Sequence, residues 1–519
     1  MAKAAFDDYG RNPPPGGGTS KRLLLFVIAF LALGAALRLT IHISAIRNPL
    51  ELDNGEGILL MQAKHITDFS VAYRNIDTPP YVVFPYPPLY YLVVRLFLPL
   101  TGELLSAGRL TSVICSVVLA GLFALFFSRV LPRRVYGTPR AALILLAGVI
   151  PFQLGTMAWT SLMRVDTLAL LFAFAGLIVF TASARLAPQM AAMVLFVAAF
   201  YTKQSTVAAA AACLGICALL NFRRALGLVA FGAALALAFG GLWNVWTHGG
   251  FVRNLVFYLV NPFSLMRAAH IASKNFQELG LFLPLPLTMA AMVVGRYLRL
   301  GPRSAPARLR ASVRRVGMRR ALAICTAHFF VSLALTLSVG KVGSNYNYFL
   351  EWNLSCCLLA VFLMAIWFGL PHRARRDSWH AAVAALLVLW AVLTPLRAVE
   401  QLRITAAQRA EHAMSREHAR RIVEQMRAAP GPILTDGMVM LYRAGKDVYA
   451  EPAILCNLAL AGTWDQSGLI EQIRAHKFPL IVTSLLDDDH MYTPQVRDAI
   501  RDAYRLDDRI GGYDLCRPR

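Results

Sequence analysis

Apolar residues fall in long unbroken runs, separated by short polar or basic stretches. A helix needs about 20 mainly apolar residues to cross a membrane. The chain offers such runs at 23–45, 110–130, 139–159, 166–184, 188–203, 205–221, 226–247, 277–296, 321–340, 352–370 and 380–397. The pattern predicts an all-α polytopic membrane protein with about eleven transmembrane helices. A further stretch, YPPLYYLVVRLFLPL at 86–100, is short, carries prolines at both ends and has Arg95 in its middle. Such a segment is expected to lie as a juxtamembrane helix at the interface, within a first exterior loop spanning 46–109.

Beyond 397 the pattern changes. Residues 400–429 are rich in Arg, Glu, Gln and Ala and read as helix, whereas GPILTDG, KDVYAEP and FPLIVTSL read as short strands around a helical stretch near 466–477. The expected organisation is a flexible tail at 1–21, a membrane module at 22–397 and a small C-terminal α/β domain at 398–519. No internal repeat of the kind that builds inverted-repeat transporters is visible.

Composition agrees. Of 519 residues, 57% are hydrophobic and only 16% charged, against about 25% charged in soluble domains. The net charge of +23 sits in clusters between apolar runs, which reads as orientation signal and headgroup contact rather than nucleic-acid binding. The segment 296–320 alone holds nine arginines and no acid. With eleven spans and an interior N-terminus, this cluster, Arg129–Arg140, Arg223/Arg224 and PHRARRDS all face inside, whereas twelve spans would turn them outward. Six cysteines lie in apolar runs as small packing residues; Cys456 and Cys516 in the tail are able to pair if the tail is in an oxidising compartment. No CxxC spacing marks a metal site.

In this orientation the unusual polar residues share the exterior side. They are Asp53 and Glu56 in ELDNGEGILLMQAKHI, Arg109, Arg164 and Asp166 in SLMRVDT, Lys203 and Gln204 in FYTKQS, and Lys341, Asn345, Tyr346, Asn347, Tyr348 and Glu351 in GKVGSNYNYFLE. Ionisable residues at membrane depth are costly and mark functional sites. Each has a simpler reading: Asp166 as a helix cap or a partner of Arg164, Lys203 as a snorkelling anchor, the tyrosines as an aromatic belt. Recurrence on one side across separate loops is what argues for one site. Carboxylates beside cations suit transfer from a phosphate-linked donor: a carboxylate takes the proton of an attacking hydroxyl, and cations stabilise the departing phosphate.

The acidic first loop, PYVVFPYPPLYYLV, GRLTSVICS with Arg109, RVDT, YTKQS and SNYNYFLE, in this order over residues 22–400, resemble the C-superfamily glycosyltransferases that use lipid-phosphate sugars. The branch resembled is that of bacterial relatives of protein O-mannosyltransferases and aminoarabinose transferases. The resemblance implies an inverting transferase of the bacterial inner membrane with its active site on the periplasmic face. The donor would be a polyprenyl-phosphate monosaccharide and the acceptor a hydroxyl of a periplasmic glycan, lipid or protein. It implies a catalytic acid in the first loop, Asp53 or Glu56; the chain departs from the family's Asp-Glu pair by carrying Gly55 directly before Glu56. It also implies that Asp166 is the second acid, Lys203 lies near the donor phosphate and Arg109 is structural or phosphate-facing. A divalent metal ion is used by some members and is left open. The alternative from another class is a transporter or flippase for a lipid-linked sugar.

Overall fold

A computed structural model describes residues 18–132, 138–154, 159–259, 261–299, 309–311, 313–314, 316–369 and 378–519, with the side chains of 18–21, 138–139, 368–369, 378–381 and 404–414 left undescribed. Most of the N-terminal tail, much of the arginine cluster at 296–320 and most of PHRARRDS lie outside the described residues.

Each of the eleven apolar runs carries helix. In chain order the helices are α1 (Gly18–Ile46), α2 (Asn54–His65), α3 (Leu89–Thr101), α4 (Leu104–Val130), α5 (Thr138–Val149), α6 (Asp166–Ala182), α7 (Leu186–Thr202), α8 (Ala208–Leu220), α9 (Phe222–Trp246), α10 (Gly250–Val256), α11 (Leu265–Leu279), α12 (Pro284–Leu298), α13 (Met318–Leu335), α14 (Leu350–Gly369) and α15 (Ser378–Ala428). By length and composition, six helices among the described residues are able to cross a membrane. A seventh is added if α11 and α12, bent by 88° at Gly280–Leu283, count as one span. The expected eleven are therefore only partly met by length. Helices α5 to α8 are apolar but short: at 1.5 Å per residue the 17 residues of α6 reach about 25 Å, less than the hydrocarbon thickness of about 30 Å. They pack on one another and on α4, α9 and α13. The stretch 86–100 forms α3, thirteen residues ending on Gly102 in the left-handed region (φ 72°), where glycine carries no steric penalty.

The tail folds into four strands with helices: β1 (Ile433–Thr435), α16 (Met438–Arg443), α17 (Pro452–Leu460), α18 (Ser467–Arg474), β2 (Leu480–Thr483), α19 (Pro494–Ala503), β3 (Tyr504–Ile510) and β4 (Tyr513–Pro518). The sheet order is β1-β2-β4-β3. β1 and β2 run parallel with Ile433 opposite Leu480, and β4 is antiparallel to both its neighbours. Gly511 and Gly512, at φ 57° and 86°, make the two-residue turn of the β3–β4 hairpin, as a turn positive at both positions requires. KDVYAEP, expected as a strand, instead makes an isolated bridge from Ala450 to Tyr81 of the first loop, with Tyr81 N donating to Tyr449 O and Glu451 N to Tyr81 O. Cys456 and Cys516 are both free and buried. Cys456 donates to the Asp489 carbonyl from α17 while Cys516 sits within β4 opposite Ile481 and Leu506, so the pairing the sequence allowed is not formed.

Two features join tail and membrane module. Helix α15 runs unbroken across residue 397 for 51 residues. One apolar core, moreover, contains Leu59, Leu60 and Tyr91 of the first loop, Met163 and Leu168, and Met438, Leu480 and Leu515 of the tail.

Candidate active site

The start of α2 gathers three carboxylates. Asp53 is extended (φ −156°, ψ 130°) and caps the helix, accepting the Gly55 N–H at 3.0 Å; an acid there also faces the positive end of the helix dipole. The same carboxylate pairs with Arg164, and 20% of its side chain stays exposed. The Arg164 guanidinium lies 5.2 Å from the Trp159 ring centre. Any side chain at position 55 would run into that guanidinium, so glycine is what lets Arg164 reach Asp53.

Glu56 is enclosed. Its side chain and that of Arg109 are both fully buried. Arg109 Nε and Nη2 donate to the two carboxylate oxygens at 2.8 and 2.7 Å, while the Leu52 and Met163 N–H groups add bonds of 2.8 and 2.7 Å. Arg109 spends its remaining donors on the carbonyls of Ala45, Asn48 and Leu50. A bidentate guanidinium–carboxylate pair with every lone pair engaged ties the first loop to α4 and presents nothing to a ligand.

Glu51 is the third acid. It accepts the Gly57 N–H at 2.9 Å. Burial above all, with Glu56 and Asp53 close by, pushes its carboxyl up to about 8. It lies against the tail domain: a Cβ on Gly57 would come 2.7 Å from both Glu51 Oε1 and Met438 Cβ.

A second ion pair stands beside the first. Asp166, at the start of α6 and 2% exposed, accepts from Lys203 Nζ at 2.6 Å and from Asn347 Nδ2 at 3.1 Å, both on Oδ1. Lys203 ends α7 and its ammonium sits 4.7 Å from the Tyr348 ring centre. Gln204 donates to the Pro85 carbonyl at 2.8 Å. The next residue, Tyr86, lies within electrostatic reach of Lys203, Asp166, Arg164 and Tyr348, and burial raises its phenol pKa, leaving it a proton-bearing donor. Its backbone carbonyl is held by the Tyr73 hydroxyl at 2.7 Å. Four buried atoms of this wall have no hydrogen-bond partner among the described residues: Arg164 Nε, Asp166 Oδ2, Gln204 Oε1 and Asn347 Oδ1.

The fold thus brings Asp53, Arg164, Asp166, Lys203, Gln204 and Tyr348 into one wall. It places Glu56 and Arg109 behind that wall. Lys341 and Asn345 are exposed; Asn345 caps the turn Tyr346–Phe349 by accepting the Tyr346 N–H, and Tyr346 packs on the membrane core. Glu351 turns into the bundle, 3.1 Å from His328 Nε2 and accepting the Ala209 N–H at 3.2 Å. Glu51 and Tyr86 are the residues sequence reasoning left without a role. Glu51 stood in the same acidic stretch, but nothing local to it signals the tail domain packed against it. Among the described residues no group of three or more His, Cys, Asp and Glu side chains is disposed to hold a metal ion.

No family model matches the sequence and no curated protein is similar to it. Solved structures are similar in fold. ArnT from Cupriavidus metallidurans in the apo state superposes over 96% of this chain and 98% of its own, with a TM-score of 0.55 at 12% identity. The same protein bound to undecaprenyl phosphate gives 0.53 at 13% identity over the same shares. The archaeal oligosaccharyltransferase AglB from Archaeoglobus fulgidus gives 0.49 at 12% identity, over 89% of this chain and 70% of its own. At this identity the likeness is one of fold.

Proposed function

We propose that the chain is a membrane-embedded glycosyltransferase, transferring a monosaccharide from a polyprenyl-phosphate donor to an acceptor hydroxyl with inversion at the anomeric carbon. The observation that carries this reading is the pair of adjoining ion pairs, Asp53–Arg164 and Asp166–Lys203, set at the mouth of a helical bundle whose fold is that of ArnT. The structure of ArnT bound to undecaprenyl phosphate supports a donor of that class here.

Asp53 is the base in this reading, because it is the partly exposed acid of the loop while Glu56 is saturated and sealed. It pairs with Arg164 and takes the proton of the acceptor hydroxyl. The acceptor oxygen attacks the anomeric carbon as its proton passes to Asp53. The bond from that carbon to the phosphate oxygen breaks, and the electron pair leaves with the polyprenyl phosphate. Arg164, whose Nε has no partner, and Lys203 supply donors to the phosphate as its charge grows. Attack opposite the leaving group inverts the anomeric centre. The basic segments at the other end of the helices support an active site on the periplasmic side of a bacterial inner membrane. The acceptor is a periplasmic glycan, lipid or protein.

The test is label transfer from a panel of radiolabelled polyprenyl-phosphate sugars in proteoliposomes supplied with envelope acceptors. Transfer from at least one donor, lost in Asp53→Asn, is expected. Movement of intact donor across the bilayer with no transfer would show a flippase instead.

A further inference from the structure

Three of the unpartnered atoms of the site are oxygens, and their orientations are fixed. Asn347 Nδ2 donates to a carboxylate and Gln204 Nε2 to a backbone carbonyl. Both partners only accept, so each amide must turn its oxygen the other way. Asn347 Oδ1, Gln204 Oε1 and Asp166 Oδ2 are therefore acceptors, and nothing in the described protein donates to them. A buried acceptor left without a donor is costly; a ligand carrying donors relieves that cost. Arg164 Nε, a buried donor without a partner among the described residues, and the N–H groups of Lys203 not given to Asp166 suit the phosphate.

Charge narrows the ligand further. Each carboxylate of the site already has its own cation: Asp53 has Arg164, Asp166 has Lys203 at 2.6 Å, and Glu56 has Arg109. Glu51, pushed up to about 8 by burial, is mostly neutral at pH 7. A cationic group on the sugar would meet acceptors but no unmatched negative charge, beside an ammonium and a guanidinium. From this geometry we infer that Asp166 Oδ2, Asn347 Oδ1 and Gln204 Oε1 form the sugar-reading subsite, and that the transferred unit is a neutral sugar presenting free hydroxyls rather than an amino sugar. The inference rests on the transferase reading above. All three oxygens are buried in the protein alone, so the sugar reaches them only by displacing neighbouring side chains.

The experiment uses the full-length protein in proteoliposomes with four probes: polyprenyl phosphate alone, a neutral pentosyl or hexosyl polyprenyl phosphate that the protein transfers, its monodeoxy analogues, and a 4-amino-4-deoxypentosyl polyprenyl phosphate. Binding is read by donor-dependent thermal stabilisation and turnover by label transfer. The neutral sugar is expected to be preferred over the amino sugar by at least about tenfold in kcat/KM, and removal of one particular hydroxyl to cost a similar factor. Asn347→Leu should erase the discrimination between that hydroxyl and its deoxy analogue, while Asn347→Asp, which adds an unmatched carboxylate without changing shape, should move the preference toward the amino sugar. Conservative Asn347→Asp guards against reading a folding defect as a loss of recognition. Preferential transfer of the amino sugar by the unaltered protein overturns the inference while the transferase stands. So does equal stabilisation by bare polyprenyl phosphate and by every sugar-bearing donor. Absence of transfer from all donors overturns the transferase reading, and this inference with it.

Discussion

The two acids of the first loop differ in what their charge is for, and substitution separates them. Glu56→Gln leaves a fully buried Arg109 without its counter-ion, a change worth about 3–5 kcal/mol; the expected outcome is a large drop in thermal stability in detergent and little folded protein. Asp53→Asn keeps the cap to Gly55 but removes the proposed proton acceptor and the charge facing Arg164, whose guanidinium still meets the amide oxygen. It should hold its melting temperature within a few degrees and lose turnover by about 10²–10⁴-fold. Glu51 gives a pH dependence. Its carboxyl is raised from an ordinary 4.5 to about 8 in the folded protein, so folding binds a proton between those values. Stability is fully present below about 4.5, falls as pH rises toward 8 and changes no further above it. Glu51→Gln, able to accept the Gly57 N–H through its amide oxygen, should flatten that slope in thermal melts across pH 5–8.

At the scale of elements, α2 is aimed from both sides. Arg109 pins its start through Glu56, and Met438 of α16 closes on it at Gly57. Adding a methyl in Gly57→Ala pushes against Glu51 and Met438 together. The expected result is a fall in kcat greater than the change in KM, with a modest loss of melting temperature, since the shift moves Asp53 relative to Arg164. Helix positions were legible because apolar runs declare themselves without reference to neighbours. The partners were not: Glu56 and Arg109 are 53 residues apart, and Tyr86 meets Asp166 only after the loop folds back. The tail shows the same division. β1, β2 and α18 stand where hydrophobic patterning put them. The hairpin β3–β4, with its exposed polar strand β3, lacked an apolar signature, and KDVYAEP spends its extended backbone on Tyr81 rather than on the sheet.

At the scale of the molecule, the surface ion pairs between tail and first loop, Lys64–Asp447 and Arg443–Glu103, are worth about 0–1 kcal/mol each and do not explain the joint. The shared apolar core does. The joint also has a mechanical side. Helix α15 runs through 51 residues, with Pro395 inside it, about 75 Å at 1.5 Å per residue, so one continuous helix links the apolar module to the sheet. A rod fixes phase as well as distance. One residue inserted after Arg403 turns everything beyond it by about 100°, which would present the wrong face of the tail to α2 even though no contact residue has changed. Insertion of a single alanine is expected to abolish transfer. Seven alanines, nearly two whole turns, restore the facing but lift the domain by about 10 Å and should recover less than a wild-type rate. On these expectations the tail is keyed to the helical module like a geared shaft, with the acidic loop held in one tooth of that gear.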